Sequence, residues 1–271
     1  MESCGGITRE LQLARQWAVS AGGLLMGHYQ QRPLIERKPG GEPVTVADHV
    51  ANNFLIAEIA RDFPDDGIIS EESPDDPGRG GKSRVWIIDP LDGTQEFVEQ
   101  QDEFAVMIGL AIDGEAVLGV VYQPVTGKLY QAARGLGAFL EEHETVRPLQ
   151  VSGETDPQRM TIALSRSHPH SAVDEVSRRL LIGHSIRSGS LGLKLGLICE
   201  GRAHLYLDLS GRTSLWDTCA PEALLAEAGG RVTDLKGLPL IYNKRELRHR
   251  NGVIASNGPI HERVVEAVSR V

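Results

Sequence analysis

A layered α/β fold is predicted by three features of the 271-residue chain. Beyond about Val151, short strand-like and helix-like segments alternate, the pattern of layered α/β domains. Before that point, strand candidates at 104–112 and 116–122 flank Asp113-Gly114, a strong hairpin signal. Earlier still, the apolar run Val85-Trp86-Ile87-Ile88 reads as a buried strand. It delivers Asp89-Pro90-Leu91-Asp92-Gly93-Thr94 to its C-terminal end.

In chain order, Thr8 can cap a helix running to about Tyr29, with Leu11, Ala14, Ala18, Ala21 and Leu25 on one face. The polar, glycine-bearing link 38–43 breaks that pattern. A second helix is expected to start near Asp48 and to carry Ala51, Phe54, Leu55 and Ile59 inward. A turn at 63–67 leads to a short strand, Ile68-Ile69, ending at Ser70-Glu71-Glu72. Residues 73–83, rich in Pro, Gly and charge, read as a mobile surface loop. After the hairpin, a turn at 124–127 precedes a strand at Lys128–Ala133. Helices are expected at 171–181, 191–200, 218–228 and 260–271, with Gly201 and Gly229-Gly230 where C-caps belong. A weakly marked boundary at 144–150 suggests lobes 1–147 and 148–271. The length allows either two lobes or one large domain.

The formal net charge of −9 argues against a nucleic-acid backbone or an anionic membrane as partner. Three cysteines, Cys4, Cys199 and Cys219, have no metal-ligand spacing and read as reduced thiols. Residues 1–10 lack the apolar stretch of a signal peptide, and no apolar run approaches the length of a membrane span. A cytoplasmic location is the expectation.

Chemistry concentrates at Asp48, Glu71, the Asp89/Asp92 pair and Asp217, each at the end of an apolar strand or the start of a helix. Gly93 frees the backbone for close approach, and amides at such a turn attract phosphate. Two carboxylates beside an anion site make electrostatic sense only with a cation between them, and oxygen ligands suit Mg²⁺. The plainer reading is that both aspartates cap the following helix. Crowded carboxylates without a cation would raise one another's pKa. Strand ends in an α/β protein converge on one edge, so these segments can build a cage for two or more Mg²⁺ ions. A haloacid-dehalogenase site, D-x-D-G-T, is rejected because two residues separate Asp89 from Asp92. On a regular strand only one intervening residue puts both side chains on one face.

Asp48, Glu71-Glu72, Asp89-Pro90-Leu91-Asp92-Gly93-Thr94, Trp216-Asp217 and Gly229-Gly230, in that order, resemble the inositol monophosphatase superfamily of lithium-sensitive, Mg²⁺-dependent phosphatases. The resemblance runs from the first helix to the last. It implies a sugar-phosphatase fold, α-β-α-β-α layers with the metal site between two lobes. It implies that Glu71, Asp89 and the Leu91 carbonyl hold one Mg²⁺, that Asp89, Asp92 and Asp217 hold a second, and that Glu71 helps hold a third. Asp48 and Thr94, with Glu71, become the catalytic group that orients and deprotonates a water, while Gly93 and Thr94 amides grip phosphate.

Within that superfamily, Gln95-Glu96-Phe97, Ser165-Arg166-Ser167-His168 and residues 216–223 are similar to CysQ-type 3'(2'),5'-bisphosphate nucleotidases. His168, Gly189, Ser190 and Lys194 are then candidates for the substrate's second phosphate or sugar, with Asp217 beside them. The plainer readings are a loop histidine before Pro169 and a lysine that solvates a helix face. Ser210-Gly211-Arg212-Thr213 departs from the loop of either group, so base recognition is not readable there. The implied reaction is hydrolysis of 3'-phosphoadenosine 5'-phosphate to AMP and phosphate. An inositol monophosphatase is the rival within the same chemistry, and a non-catalytic phospholigand-binding protein the rival outside it. The resemblance admits both a monomer and a homodimer.

Overall fold

Helices α1 (Thr8–Tyr29) and α2 (Val46–Asp62) form the outermost layer of the larger half, and short strands β1 (Ile35–Arg37) and β2 (Pro43–Thr45) lie between them in sequence. The structure, a computed structural model, describes residues 7–30, 35–37, 43–75, 77–167 and 171–270. Cys4, most of the 38–43 link and His168 lie outside the described residues. α2 begins at Val46, two residues before Asp48, with Thr45 as its cap: Thr45 Oγ1 accepts from the Ala47 amide at 3.1 Å.

The second layer is a seven-stranded sheet in simple sequence order. It contains β3 (Gly67–Ser70), β4 (Arg84–Asp92), β5 (Ala105–Ile112), β6 (Glu115–Gln123), β7 (Lys128–Ala133), β8 (Gly137–Glu142) and β9 (Thr145–Pro148). Only β3 and β4 pair in parallel; the rest is antiparallel. Period-two alternation divides its residues between two cores. Trp86, Ile88, Val106, Ile108 and Val120 meet α1 and α2, while Ile87, Met107 and Val121 face the opposite way. At the β5–β6 turn, Asp113 and Gly114 both take positive φ (53° and 87°), as a type I′ hairpin requires.

The smaller half contains β10 (Thr161–Ser165), α4 (Ser171–Leu180), β11 (His184–Ser188), α5 (Leu191–Cys199), β12 (Leu205–Asp208), α6 (Leu215–Glu227), β13 (Arg231–Thr233), β14 (Val253–Ser256) and α7 (His261–Val268). Its sheet runs β11-β10-β12-β14-β13. α5 and α6 fill the layer between the two sheets, where Leu195, Cys199, Cys219 and Leu224 join one core with Met107 and Ala163. α4 and α7 cover the outer face through Val173, Val176, Ile260 and Val264. The stacking is thus α-β-α-β-α. Gly201 and Gly229 end α5 and α6 with φ of +71° and +89°.

α6 lies so close to the large sheet that a Cβ at Gly119 would collide with the Ala220 carbonyl oxygen. Gly119→Ala is therefore expected to cost about 3 kcal/mol or more, read as a fall in melting temperature. An unchanged melting temperature would show that α6 can lift away.

The segment between β3 and β4 contains a buried anchor that its polar composition does not announce. A 3₁₀ turn, Pro77–Gly81, places Arg79 at 4% exposure. Its guanidinium pairs with Asp75 and donates to the Lys244 carbonyl at 3.0 Å. Fixed donors of this fork shape anchor both chains.

Candidate active site

Two acidic residues are set by the same local device. Asp48 is the third residue of α2 and Asp217 the third of α6, each closing a capping box with Thr45 or Ser214. Asp48 Oδ2 accepts from the Thr45 amide and hydroxyl, both at 2.7 Å. Asp217 Oδ2 accepts from the Ser214 amide at 2.6 Å. One oxygen of each carboxylate thus serves the helix start. The other oxygen of Asp48, Oδ1, accepts from Thr94 Oγ1 at 3.2 Å, and the same hydroxyl lies 3.1 Å from the Leu91 carbonyl.

Asp89 and Asp92 reach the site through a bulge. Asp89 pairs with Met107 and Asp92 with Ala105, so β4 carries one extra residue against β5. Pro90, with no N–H to give a ladder, suits that position. This bulge corrects the spacing reasoning used above to reject a dehalogenase. It shifts the strand's alternation by one, and Asp92 acts directly on Asp89. Gly93 follows with φ +96°, and a Cβ there would come within 2.9 Å of the Glu103 carbonyl oxygen. Thr94 then opens the short α3 (Thr94–Val98).

Burial first, then the charges of Glu71, Asp92 and Asp217, raise the Asp89 pKa well above its ordinary value; the side chain is 1% exposed. Asp48, also 1% exposed, is pushed up by burial, which its Thr45 hydrogen bonds partly offset. The donors are all oxygens, the chemistry of a hard divalent cation, and a bound cation would relieve the charge conflict at Asp89. The residues present therefore fit such an ion. Among the described residues, no group of three or more His, Cys, Asp or Glu side chains is already drawn together so as to hold a metal ion; Glu71, Asp92 and Asp217 lie close enough to Asp89 to act on its charge.

Ser190 and Lys194 do not face an open cleft. Ser190 is 0% exposed, caps α5 by accepting from the Leu193 amide at 3.1 Å, and donates its hydroxyl to Asp92 Oδ2. The Gly192 amide donates to the same oxygen at 2.8 Å. Asp92 is thus held at the N-terminus of α5, where the helix dipole favours an anion. Lys194 is 3% exposed, so it does not solvate a helix face. Gly189 has another duty: a Cβ there would strike Glu96, and its amide donates to Glu103 at 2.9 Å.

Pairwise pattern alone did not reveal the ties across to the small sheet. Ser167 donates to buried Glu96, and Arg166 makes a two-pronged contact with Glu103 at 2.7 Å. Burial acts to raise the Glu103 pKa, but Arg166 and the Gly189 amide outweigh it and leave the group below its ordinary value. Thr45 and Ser214 did carry a readable signal, a Thr or Ser three residues before an Asp at a helix start. Trp216 is half-buried and packs against the central core.

Residues 8–271 match the family described as Inositol monophosphatase family. The 3'(2'),5'-bisphosphate nucleotidase CysQ of Escherichia coli (strain K12) is 38% identical over 236 residues, 85% of this chain and 93% of that protein. Histidinol-phosphatase of Chlorobaculum parvum is 34% identical over 263 residues, 93% of this chain and 95% of that protein. Among solved structures, an inositol monophosphatase from Anabaena superposes with a TM-score of 0.80 at 31% identity, covering 98% of this chain and 97% of that one. CysQ from Bacteroides thetaiotaomicron gives 0.79 at 29% identity, over 93% and 98%. With these relatives, the layered fold and its acidic site define a phosphatase. The chain belongs to the inositol monophosphatase family, which is generally metal-dependent. Among the described residues, no helix is long and apolar enough to cross a membrane.

Proposed function

We propose that the protein hydrolyses the 3'-phosphate of 3'-phosphoadenosine 5'-phosphate, giving AMP and phosphate, with Mg²⁺ as cofactor. The observation that carries a hydrolytic role is the Thr94–Asp48 contact, Oγ1 to Oδ1 at 3.2 Å, beside the buried Asp89. A pure binder of phospholigands has no need of such a pair. The nucleotide preference draws its support from the likeness to the nucleotidase CysQ.

Glu71, Asp89, the Leu91 carbonyl, Asp92 and Asp217 would hold two or three Mg²⁺ ions, whose chemistry is to acidify a water and to stabilise charge on the ester oxygens. The Thr94 hydroxyl orients the attacking water and takes its proton as its own passes to Asp48. A threonine hydroxyl is a poor base alone; Asp48, with Oδ2 already fixed by Thr45, gives the transfer its direction. The Gly93 and Thr94 amides would grip the ester phosphate; the left-handed φ of Gly93, +96°, supports a turn of that kind.

Phosphate release should be compared for 3'-phosphoadenosine 5'-phosphate, inositol 1-phosphate and histidinol phosphate, with and without Mg²⁺, and with added Li⁺. A large Mg²⁺-dependent preference for the nucleotide, inhibited by Li⁺, is expected. Preference for either other ester would keep the hydrolytic site and discard the nucleotide. No release from any of them would count against an esterase of this kind.

A further inference from the structure

Two consecutive amides at the start of α5 end on one residue of the larger half. The Gly189 amide donates to Glu103 Oε2 at 2.9 Å, and the Ser190 amide donates to the Glu103 carbonyl at 3.1 Å. Glu103 lies two residues before β5, half-buried, and its carboxylate also receives Arg166 Nε and Nη2, both at 2.7 Å. Arg166 in turn extends the β10–β11 pairing by one step, its amide donating to the Ser188 carbonyl at 3.1 Å. The same Glu103 carbonyl oxygen is the atom that a Cβ on Gly93 would approach to 2.9 Å. One residue thus meets the Gly93 turn, the end of β10 and the turn between β11 and α5.

That last turn fixes a carboxylate. Ser190 donates its hydroxyl to Asp92 Oδ2, and the Gly192 amide reaches the same oxygen at 2.8 Å. A carboxylate gripped by one oxygen has its other oxygen aimed by that grip. Glu96 bounds the turn by contact, since a Cβ on Gly189 would strike it, while Glu103 supplies hydrogen bonds. An exposed ion pair such as Arg166–Glu103 contributes little stability by itself. Its two-pronged geometry fixes the plane of the Glu103 carboxylate, and with it the oxygen offered to Gly189.

We infer that Glu103 is a positioning residue for the metal site: by gripping the Gly189-Ser190 turn it sets where Ser190 holds Asp92, and Arg166 orients Glu103 instead of meeting the ester. This rests on Asp92 being a metal ligand, as proposed above. The two side chains then carry unequal weight. Losing Arg166 leaves the Gly189 amide on Glu103, whereas losing the Glu103 carboxylate takes that acceptor away. Glu103 also bears a negative charge, which attracts a dication through space whatever it grips. Gln separates the two effects, because it keeps an acceptor oxygen for Gly189 without the charge.

The test is calorimetric titration of Mg²⁺ into wild type, Glu103→Ala, Glu103→Met, Glu103→Gln, Arg166→Ala and Ser190→Ala, with melting temperatures, and with kcat and KM at saturating Mg²⁺. Ala and Met both remove the acceptor, and Met keeps the bulk should the Ala variant fold poorly. Both are expected to bind Mg²⁺ about tenfold more weakly or worse, the usual cost of removing a group that orients a metal ligand. Glu103→Gln and Arg166→Ala should each lose clearly less. kcat should fall in the same order while KM for the bisphosphate holds, as for a group that acts without touching substrate. Ser190→Ala should match Glu103→Ala, and combining the two should add little, because both act through Asp92. Equal losses in Glu103→Gln and Glu103→Met would make charge the cause and overturn the inference. So would Mg²⁺ binding that Glu103→Met leaves unchanged while the melting temperature falls, the result of a purely structural tie. Wild type that binds no Mg²⁺ would instead overturn the metal-site reading itself, and the inference with it.

Discussion

Replacing Asp48 by Asn is expected to lower kcat about 100- to 10,000-fold, the range for loss of a general base, while ligand affinity stays nearly the same. The two oxygens of Asp48 do different work, which makes this substitution clean. Oδ2 closes the α2 cap with the amide and hydroxyl of Thr45, and Oδ1 receives the Thr94 hydroxyl. At this third helical position the single side-chain oxygen of Asn can take the Oδ2 position and still accept from Thr45. Its NH₂ group then faces Thr94 Oγ1, a donor where an acceptor is needed, and the hydroxyl keeps only the Leu91 carbonyl, which can accept its hydrogen bond but not take its proton. The melting temperature should hold or rise, since a neutral amide escapes the burial cost that raises the Asp48 pKa. Thr94→Ala should lose a similar factor, and the double variant little more, because the pair acts as one unit. Equal loss of binding and turnover, or unchanged turnover, would remove Asp48 from the proposed role.

The acidic positions were legible because each sits at the end of an apolar strand or in the first turn of a helix, and such ends meet at one edge of a layered fold. Glu71, Asp92 and Asp217 all act to raise the Asp89 pKa, which places the four carboxylates near one another. What stayed hidden depends on partners distant in sequence. The β4 bulge exists only relative to β5, so strand alternation read on β4 alone gave the wrong faces for Asp89 and Asp92. Ser190 meets Asp92 across 98 positions, and nothing local distinguishes such a serine from one that meets substrate. The burial of Lys194 was hidden for a further reason. α5 lies between two sheets and buries Leu191, Gly192, Leu193, Lys194, Leu195 and Gly196 alike, so it has no polar face from which to read exposure. The composition of 73–83 likewise gave no sign that Arg79 is buried and donates to the carbonyls of Lys244 and Arg245.

Asp89→Asn is expected to abolish activity and, in the metal-free protein, to raise stability. The sign follows from where the proton resides. Folding raises the Asp89 pKa well above its ordinary value, so the folded state keeps a proton that the unfolded chain gives up near pH 4. Stability of the metal-free protein is therefore greatest at low pH for this group. It declines as pH rises through the window between the two pKa values, by up to about 1.4 kcal/mol per pH unit. Asn has no proton to lose, and its contribution is flat. Other groups overlay this slope. Glu222, raised by burial to about 7, adds to it, whereas His249 and His261, each lowered by burial to about 4, oppose it below the ordinary histidine pKa. The difference between wild type and Asp89→Asn cancels those shared terms. Denaturant melts from pH 5 to 8 with a chelator should show the two proteins diverging as pH rises, the variant the more stable. Adding Mg²⁺ should close or reverse the gap, because only wild type gains from filling the site with a cation. Parallel pH profiles without metal would mean that Asp89 ionises as easily folded as unfolded. A gap that Mg²⁺ leaves untouched would mean that the carboxylates do not hold the ion.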